Sequence, residues 1–415
     1  MSWDEIFTED SVDVIFNSFL NTYLRIFYCS FPFKKCHPIQ VKKAWITTGI
    51  KISCQHKRDL YLLCRGTKNP KFSSYNKKYC KILTEVIKTA RKLHYNKLIT
   101  NSNNKVKTMW NIVKTDTQKI KKDEIPPMNV DGSVVEDHHD IANIFNTYFT
   151  TVTDKIGTKN LVNVNSSNHV YPLNYLYQVF TSQFPSIKLT PVTSKEISEI
   201  IESLKQKNSH GYDEISVKIL KISLPFIVSP LTYICNGMST GIFPMRLKYS
   251  QINPVFKKGN KTEISNYRPI SLLTSFSKVF EKVIYKRLFC HINTNNILAT
   301  EQYGFRSNSS TETVAYNLIN NISEALNSNK LVGGIFCDLT KAFDYVNHNI
   351  LLSKLEFYCI TGKAKNLIKS YLNDRYQRVR IKNKYLNNRF SKWEKVKRST
   401  TGLGSWPLVL SSLHY

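Results

Sequence analysis

Residues 252–288 read INPVFKKGNKTEISNYRPISLLTSFSKVFEKVIYKRL, and the fold is decided here. Ile252 to Phe256 is a short apolar strand that runs into Lys257-Lys258-Gly259-Asn260, a turn with two cations at its tip. Tyr267-Arg268-Pro269-Ile270-Ser271 is a second extended piece, which makes the pair a basic hairpin. From about Ser275, Val279, Ile284 and Leu288 recur at helical spacing and face inward. The chemistry of the hairpin suits a triphosphate: Arg268 can hold phosphate oxygens in a bidentate fork, while Lys257 and Lys258 act as point charges. An ordinary charged surface hairpin fits the same residues, and this stretch alone does not separate the two readings.

Toward the C-terminus, residues 332–348 read VGGIFCDLTKAFDYVNH. Val332 to Cys337 has the pattern of a buried strand, with Asp338 at its C-terminal end and a helix beginning within a few residues. A strand end fixes the backbone and lets a side chain reach into a cleft, as a catalytic group requires. Asp338 as a helix N-cap satisfies the pattern equally well.

Working toward the N-terminus, Thr193-Ser194-Lys195-Glu196 predicts a capping box opening a helix through Ile197, Ile200, Ile201 and Leu204. Ile219 to Thr240 is apolar at helical spacing, interrupted by Pro225 and Pro230. Residues 157–184, rich in Asn and Ser, read as a linker. A helix with Ile141, Ile144, Phe145, Tyr148, Phe149 and Val152 on one side precedes it, after a turn at Asp131-Gly132 and a break at Pro126-Pro127. Up to about Lys122 the chain reads as basic helices. There Ile82, Leu83, Val86, Ile87, Ala90, Leu93 and Leu98 form a stripe, with Lys88, Arg91, Lys92 and Lys97 between them. That cationic face is either solvated or touches nucleic acid. The organisation expected is thus 1–122 basic helices, 123–190 helix plus linker, and 191–415 the main domain.

The bulk numbers agree with a folded polyanion binder. The 415 residues hold 41% hydrophobic residues, 23 Tyr and 22 Phe, which excludes a disordered chain. Against 30 acidic residues stand 59 Lys and Arg, a formal charge of +29 that predicts nucleic acid or an anionic membrane surface as partner. Nine cysteines occur without CxxC or Cys/His ligand spacing, so reduced intracellular thiols are expected and structural zinc is not. The acidic start, MSWDEIFTED, lacks a signal pattern, and no apolar run of membrane-spanning length is expected.

Taken together, PVFKKGNKTEISNYRPISLL, EQYGFRSNSST (Glu301 to Thr311) and FCDLTKAFDYVNH resemble, in order and approximate spacing, the fingers and palm motifs of non-LTR (LINE-type, jockey-like) retrotransposon reverse transcriptases. DIANIFNTYF (Asp140 to Phe149) and WITTGIK (Trp45 to Lys51) resemble the region preceding that polymerase domain. The resemblance implies an α+β, right-hand polymerase fingers and partial palm. It implies an RNA template, a DNA primer and dNTP as partners, and Mg²⁺ as cofactor. On the same ground Asp338 is the first metal-binding, catalytic carboxylate, with the carbonyl of Leu339 beside it. Phe343 is the bulky gate against a ribose 2′-hydroxyl, a role compatible with a core aromatic. Arg268, with Lys257 or Lys258, holds the incoming phosphates.

The chain departs from the family in one respect. Two Mg²⁺ ions need more than one carboxylate, and neither the Tyr/Phe-Ala-Asp-Asp hairpin nor Pro-Gln-Gly-Ser is present. Standard-code codons for Ser399 to Tyr415, read one nucleotide later, can spell V-P-Q-G-S-V-L-G-P-W-F-F-L-L-Y-I, which resembles the family's missing motif. The expectation is therefore a frameshifted tail over 399–415, a missing thumb and upstream endonuclease, poor packing after about Leu372, and an inactive chain. An RNA-binding remnant and a pseudogene product are the alternatives.

Overall fold

The basic hairpin expected at 252–271 is present, at the edge of a mixed sheet. The computed structural model describes residues 3–32, 44–67, 69–116, 125–130, 132–159, 174–180, 182–299, 301–304, 306, 309–337, 346–382 and 388–396. Two compact units divide the chain, Met1–Phe31 with Glu124–Tyr415, and Pro32–Asp123.

Helices α1 (Asp4–Phe7) and α2 (Val12–Ser30) open the chain. They belong to the larger unit, although the sequence groups them with the basic helices. The reason is apolar: Phe16 and Phe19 of α2 are fully buried, and their rings meet Phe276 at 6.4 and 5.4 Å. The smaller unit contains α3 (Thr48–Thr67), α4 (Pro70–Thr100) and α5 (Lys105–Asp116). Asn69 caps α4 by accepting from the Lys71 N–H at 2.9 Å, and Pro70 follows where no helical N–H partner is needed. The periodic residues at 82–98 do form a helix, yet in α4 only Leu83 is buried. Ile82 and Leu93 stay 65% and 64% exposed, so the predicted stripe is not a core face of this unit.

In the larger unit, the Gly132 turn joins β1 (Met128–Val130) to β2 (Ser133–Val135), with φ +85° at the glycine. Helix α6 (His138–Lys159) follows and buries Ile141, Phe145 and Phe149. Within the predicted linker, residues 174–179 form α7 (Asn174–Val179), held by the buried Leu176. Next come α8 (Ser194–Ser203) and α9 (Val217–Gly237). Thr193 caps α8 as predicted, accepting from the Glu196 N–H at 3.2 Å. The return half of the capping box is replaced. The Glu196 carboxylate instead takes both terminal nitrogens of Arg287, at 2.8 and 2.7 Å, and that pairing holds its carboxyl below the ordinary range. Val217–Thr240 is, by length and composition, apolar enough to cross a bilayer, which corrects the expectation that no such stretch exists. Here α9 is a core helix whose Leu220, Ile227, Leu231 and Ile234 pack inward.

The remaining elements are β3 (Tyr249–Phe256), β4 (Tyr267–Leu272), α10 (Ser275–Thr294), α11 (Thr311–Asn327), α12 (His348–Phe357), α13 (Gly362–Leu372), β5 (Arg375–Ile381), β6 (Arg389–Phe390) and β7 (Glu394–Val396). Their sheet has the order β4-β3-β5-β6, with β7 also on β5. β3 is antiparallel to β4, with Val255 opposite Arg268, and parallel to β5, with Gln251 opposite Arg378. The eight described cysteines are free thiols.

Two expectations are corrected. Residues 331–337 are no buried strand: they form no ladder, and Leu331, Ile335 and Phe336 are exposed. A strand needs a hydrogen-bonding partner, and no described strand pairs with this segment. Among the described residues after Leu372 packing is not poor, because β5 lies inside the sheet and buries Val379 and Ile381 completely.

A buried polar network ties β5 to the core. Glu281 of α10 accepts from the Tyr371 hydroxyl at 2.8 Å and from Ser277 at 3.3 Å, and Arg375 donates to the Tyr371 carbonyl at 3.1 Å. Burial pushes the Glu281 carboxyl up to about 7, against the opposing pull of Arg375. Burial does the same to Asp213. Both values lie above those of the unfolded chain, so the native state binds protons more tightly between about pH 4 and 7. Stability is therefore expected to fall as pH rises through that window. The midpoint of thermal unfolding should drop from pH 5 to pH 8, and Glu281→Gln should flatten part of the slope. A Glu281→Gln profile parallel to the parent's would contradict this.

Candidate nucleic-acid interface

Alternation along β3, β4 and β5 gives the sheet two unlike faces. On one, Ile252, Tyr267, Val379 and Ile381 pack against Met128, Ile141 and Phe145, so α6 covers that side. The opposite register places Tyr249, Gln251, Asn253 and Val255 beside Arg268 and Ile270 of β4 and Tyr376, Arg378 and Arg380 of β5. Arg268, Val255 and Ile270 are exposed there.

The arginines on this face are held by side chains, not by acids. Arg380 Nε donates to Asn253 Oδ1 at 3.2 Å. Gln251, with its amide oxygen turned to the guanidinium, accepts from Nε and Nη1 at 2.9 and 3.1 Å. Arg378 lies between two rings, its Cζ 4.3 Å from the centre of Phe390 and 4.6 Å from that of Trp393. Its buried Nε has no hydrogen-bond partner. Burial lowers the pKa of both arginines, and the Arg380 charge adds to the effect at Arg378. Both remain cations at neutral pH, and an anion on this face would relieve their repulsion.

Aromatic rings continue the face at one end. Tyr249 and Tyr376 stack at 5.2 Å with planes 14° apart, and Trp393 stands edge-on to Tyr249 at 4.9 Å. Tyr212 closes the group, 5.8 Å from Tyr249 and 6.0 Å from Trp393. Its hydroxyl donates to the Arg246 carbonyl at 2.8 Å, and burial pushes its pKa up to about 12. At the other end the hairpin tip is tied down. Lys257 N–H donates to the Asn266 carbonyl at 2.8 Å, and the Asn266 amide donates to the Asn260 carbonyl at 3.0 Å. Gly259 sits at φ +92°, where an added Cβ would lie 2.7 Å from Asn266. Lys257 and Lys258 project from this tip, exposed.

The hairpin carries Lys257 and Lys258 at its tip and Arg268 on its return strand, opposite Val255. Asp338, Leu339 and Phe343 lie outside the described residues, as does the 399–415 tail. The sequence reading missed Arg378, Arg380, Tyr249, Tyr376 and Trp393. A signal for the β5 pair was present: in RYQRVRI, Arg378 and Arg380 alternate with Val379 and Ile381, the mark of a strand with a charged face.

The described donors do not fit a pair of divalent ions. Among the described residues, Asp137, His139 and Asp140 are the acidic and imidazole group close enough to share a cation. Asp137 there caps α6, accepting from the His139 and Asp140 N–H groups at 2.9 and 3.1 Å, and those bonds lower its pKa. The group is exposed and explained by the cap.

Residues 256–399 match the family described as reverse transcriptase (RNA-dependent DNA polymerase). The chain is 34% identical over 202 residues to the probable RNA-directed DNA polymerase from transposon BS of Drosophila melanogaster. It is 31% identical over 195 residues to that from transposon X-element, and 29% identical over 198 residues to the RNA-directed DNA polymerase from mobile element jockey, both of the same organism. These alignments cover 48%, 46% and 47% of this chain but only 22%, 21% and 22% of the relatives, so the shared part is about a fifth of each.

Proposed function

We propose that this chain, a member of the reverse transcriptase family of mobile elements, binds a primed RNA template on the open sheet face. The observation that carries this reading is the cationic, aromatic face around Arg268, Arg378 and Arg380, on β-strands that lie mostly within the matched region. Such a surface offers planar donors to phosphate oxygens and rings on which bases stack. Lys257, Lys258 and Arg268 hold the phosphates of an incoming dNTP, and Asp338, with the Leu339 carbonyl, is the metal-side group of the intact family site. Phosphoryl transfer needs two Mg²⁺ ions, which activate the primer hydroxyl and hold the triphosphate. The described residues do not assemble a donor set for that pair, so no step is assigned through metal. A second reading, an RNA-binding remnant with no polymerase role, rests on the charge of +29 alone.

The test is one sample assayed twice, with primed RNA template, dNTPs and Mg²⁺. The expected result is salt-sensitive binding of the primed template. Extension abolished by Asp338→Ala would make the chain an active polymerase, and extension unaffected by it would remove Asp338 from the site. Absence of binding at low salt would overturn the nucleic-acid reading itself.

A further inference from the structure

The smaller unit carries most of the charge of the chain. Between Pro32 and Asp123 there are 23 Lys and Arg against 4 Asp and Glu, a formal +19 of the total +29. This unit lies outside the region matched to reverse transcriptases. Around the turn that joins α3 to α4, Lys57, Arg58, Arg65, Lys71, Lys77 and Lys78 are all exposed. Among the described residues none of the six is held in an ion pair, and the one acid nearby, Asp59, accepts from Gln55 at 3.1 Å. Three rings stand exposed in the same half of the helix pair: Tyr61 at 58%, Phe72 at 44% and Tyr75 at 53%.

We propose that the turn end of the α3–α4 pair is a second nucleic-acid site, separate from the polymerase sheet, and that it takes single-stranded RNA. Unpaired cations at this density call for a polyanion. The exposed rings select the kind of polyanion. Unpaired bases can stack on them, whereas a duplex keeps its bases inside and offers phosphates alone. A lipid surface would also meet cations and rings. Ile52, Leu62 and Leu63 of α3 are exposed as well and would suit a lipid surface, so the vesicle probe below separates the two polyanions.

The experiment uses the full chain and three probes: a 20-nucleotide single-stranded RNA, the same sequence as a duplex, and vesicles containing phosphatidylserine. Arg65→Gln, Lys71→Gln, Lys77→Gln and Lys78→Gln combined should lower the log–log salt slope for single-stranded RNA by about 3. Tyr61→Ala, Phe72→Ala and Tyr75→Ala combined should weaken single-strand binding at least about tenfold while leaving that slope unchanged. All seven positions are exposed, so folding should be retained. The proposal is overturned if either variant binds single-stranded RNA as the parent does, if duplex binds as tightly, or if vesicles alone are bound. Loss of binding in Arg378→Gln with Arg380→Gln, but not in these variants, would also overturn it while leaving the sheet-face reading intact.

Discussion

Phe16→Ala is expected to destabilise the larger unit by about 3–5 kcal/mol, the range for deleting a buried phenyl group that leaves a cavity. Phe16 is fully buried and meets Phe276 and Phe280 edge-on, at 6.4 and 5.8 Å. Removing its ring opens the junction of α2 and α10, which joins the start of the chain to the region matched to reverse transcriptases. Val86→Ala, at a 48% exposed position of α4, should stay within about 0.5 kcal/mol. Denaturant unfolding followed by tryptophan fluorescence measures both. Equal effects would mean that the N-terminal helix is not part of this core.

The second large effect concerns the open face. Arg378→Gln combined with Arg380→Gln should weaken binding of a primed RNA template by at least about a hundredfold at low salt, since each charged hydrogen bond to phosphate contributes about 1.5–3 kcal/mol. The salt slope should fall by about 1.4 for a single-stranded template. Arg378→Lys with Arg380→Lys keeps the charge but loses the flat guanidinium that lies between Phe390 and Trp393. It should fall between parent and glutamine variant. Titration by fluorescence anisotropy at several salt concentrations separates the three proteins, and a glutamine variant matching the parent would remove β5 from the interface.

Much of the hairpin was legible because its signals are local. Two cations before Gly259, and Arg268 on the return strand, are fixed by turn geometry and period-2 alternation within about twenty residues. Thr193 likewise announced its helix through a short-range cap. What the sequence concealed depends on distant partners. VGGIFC has the composition of a buried strand, but composition does not supply a ladder, and the segment stays exposed. RYQRVRI lies beyond Leu372, where the missing motifs predict poor packing, yet β3 accepts it in parallel and α6 covers its apolar side. The return bond of Glu196 was lost to Arg287, a residue 91 positions away that no local rule brings near. The aromatic group around Trp393 gathers from four separate stretches, and each tyrosine alone reads as core.

The most direct test is ultraviolet crosslinking of the full chain to a primed RNA template, followed by mass mapping of the attached peptides. The open-face account predicts attachment at Tyr249, Tyr376 or Trp393, sensitive to Arg378→Gln with Arg380→Gln. Crosslinks that leave both 249–272 and 375–396 unmodified would contradict it.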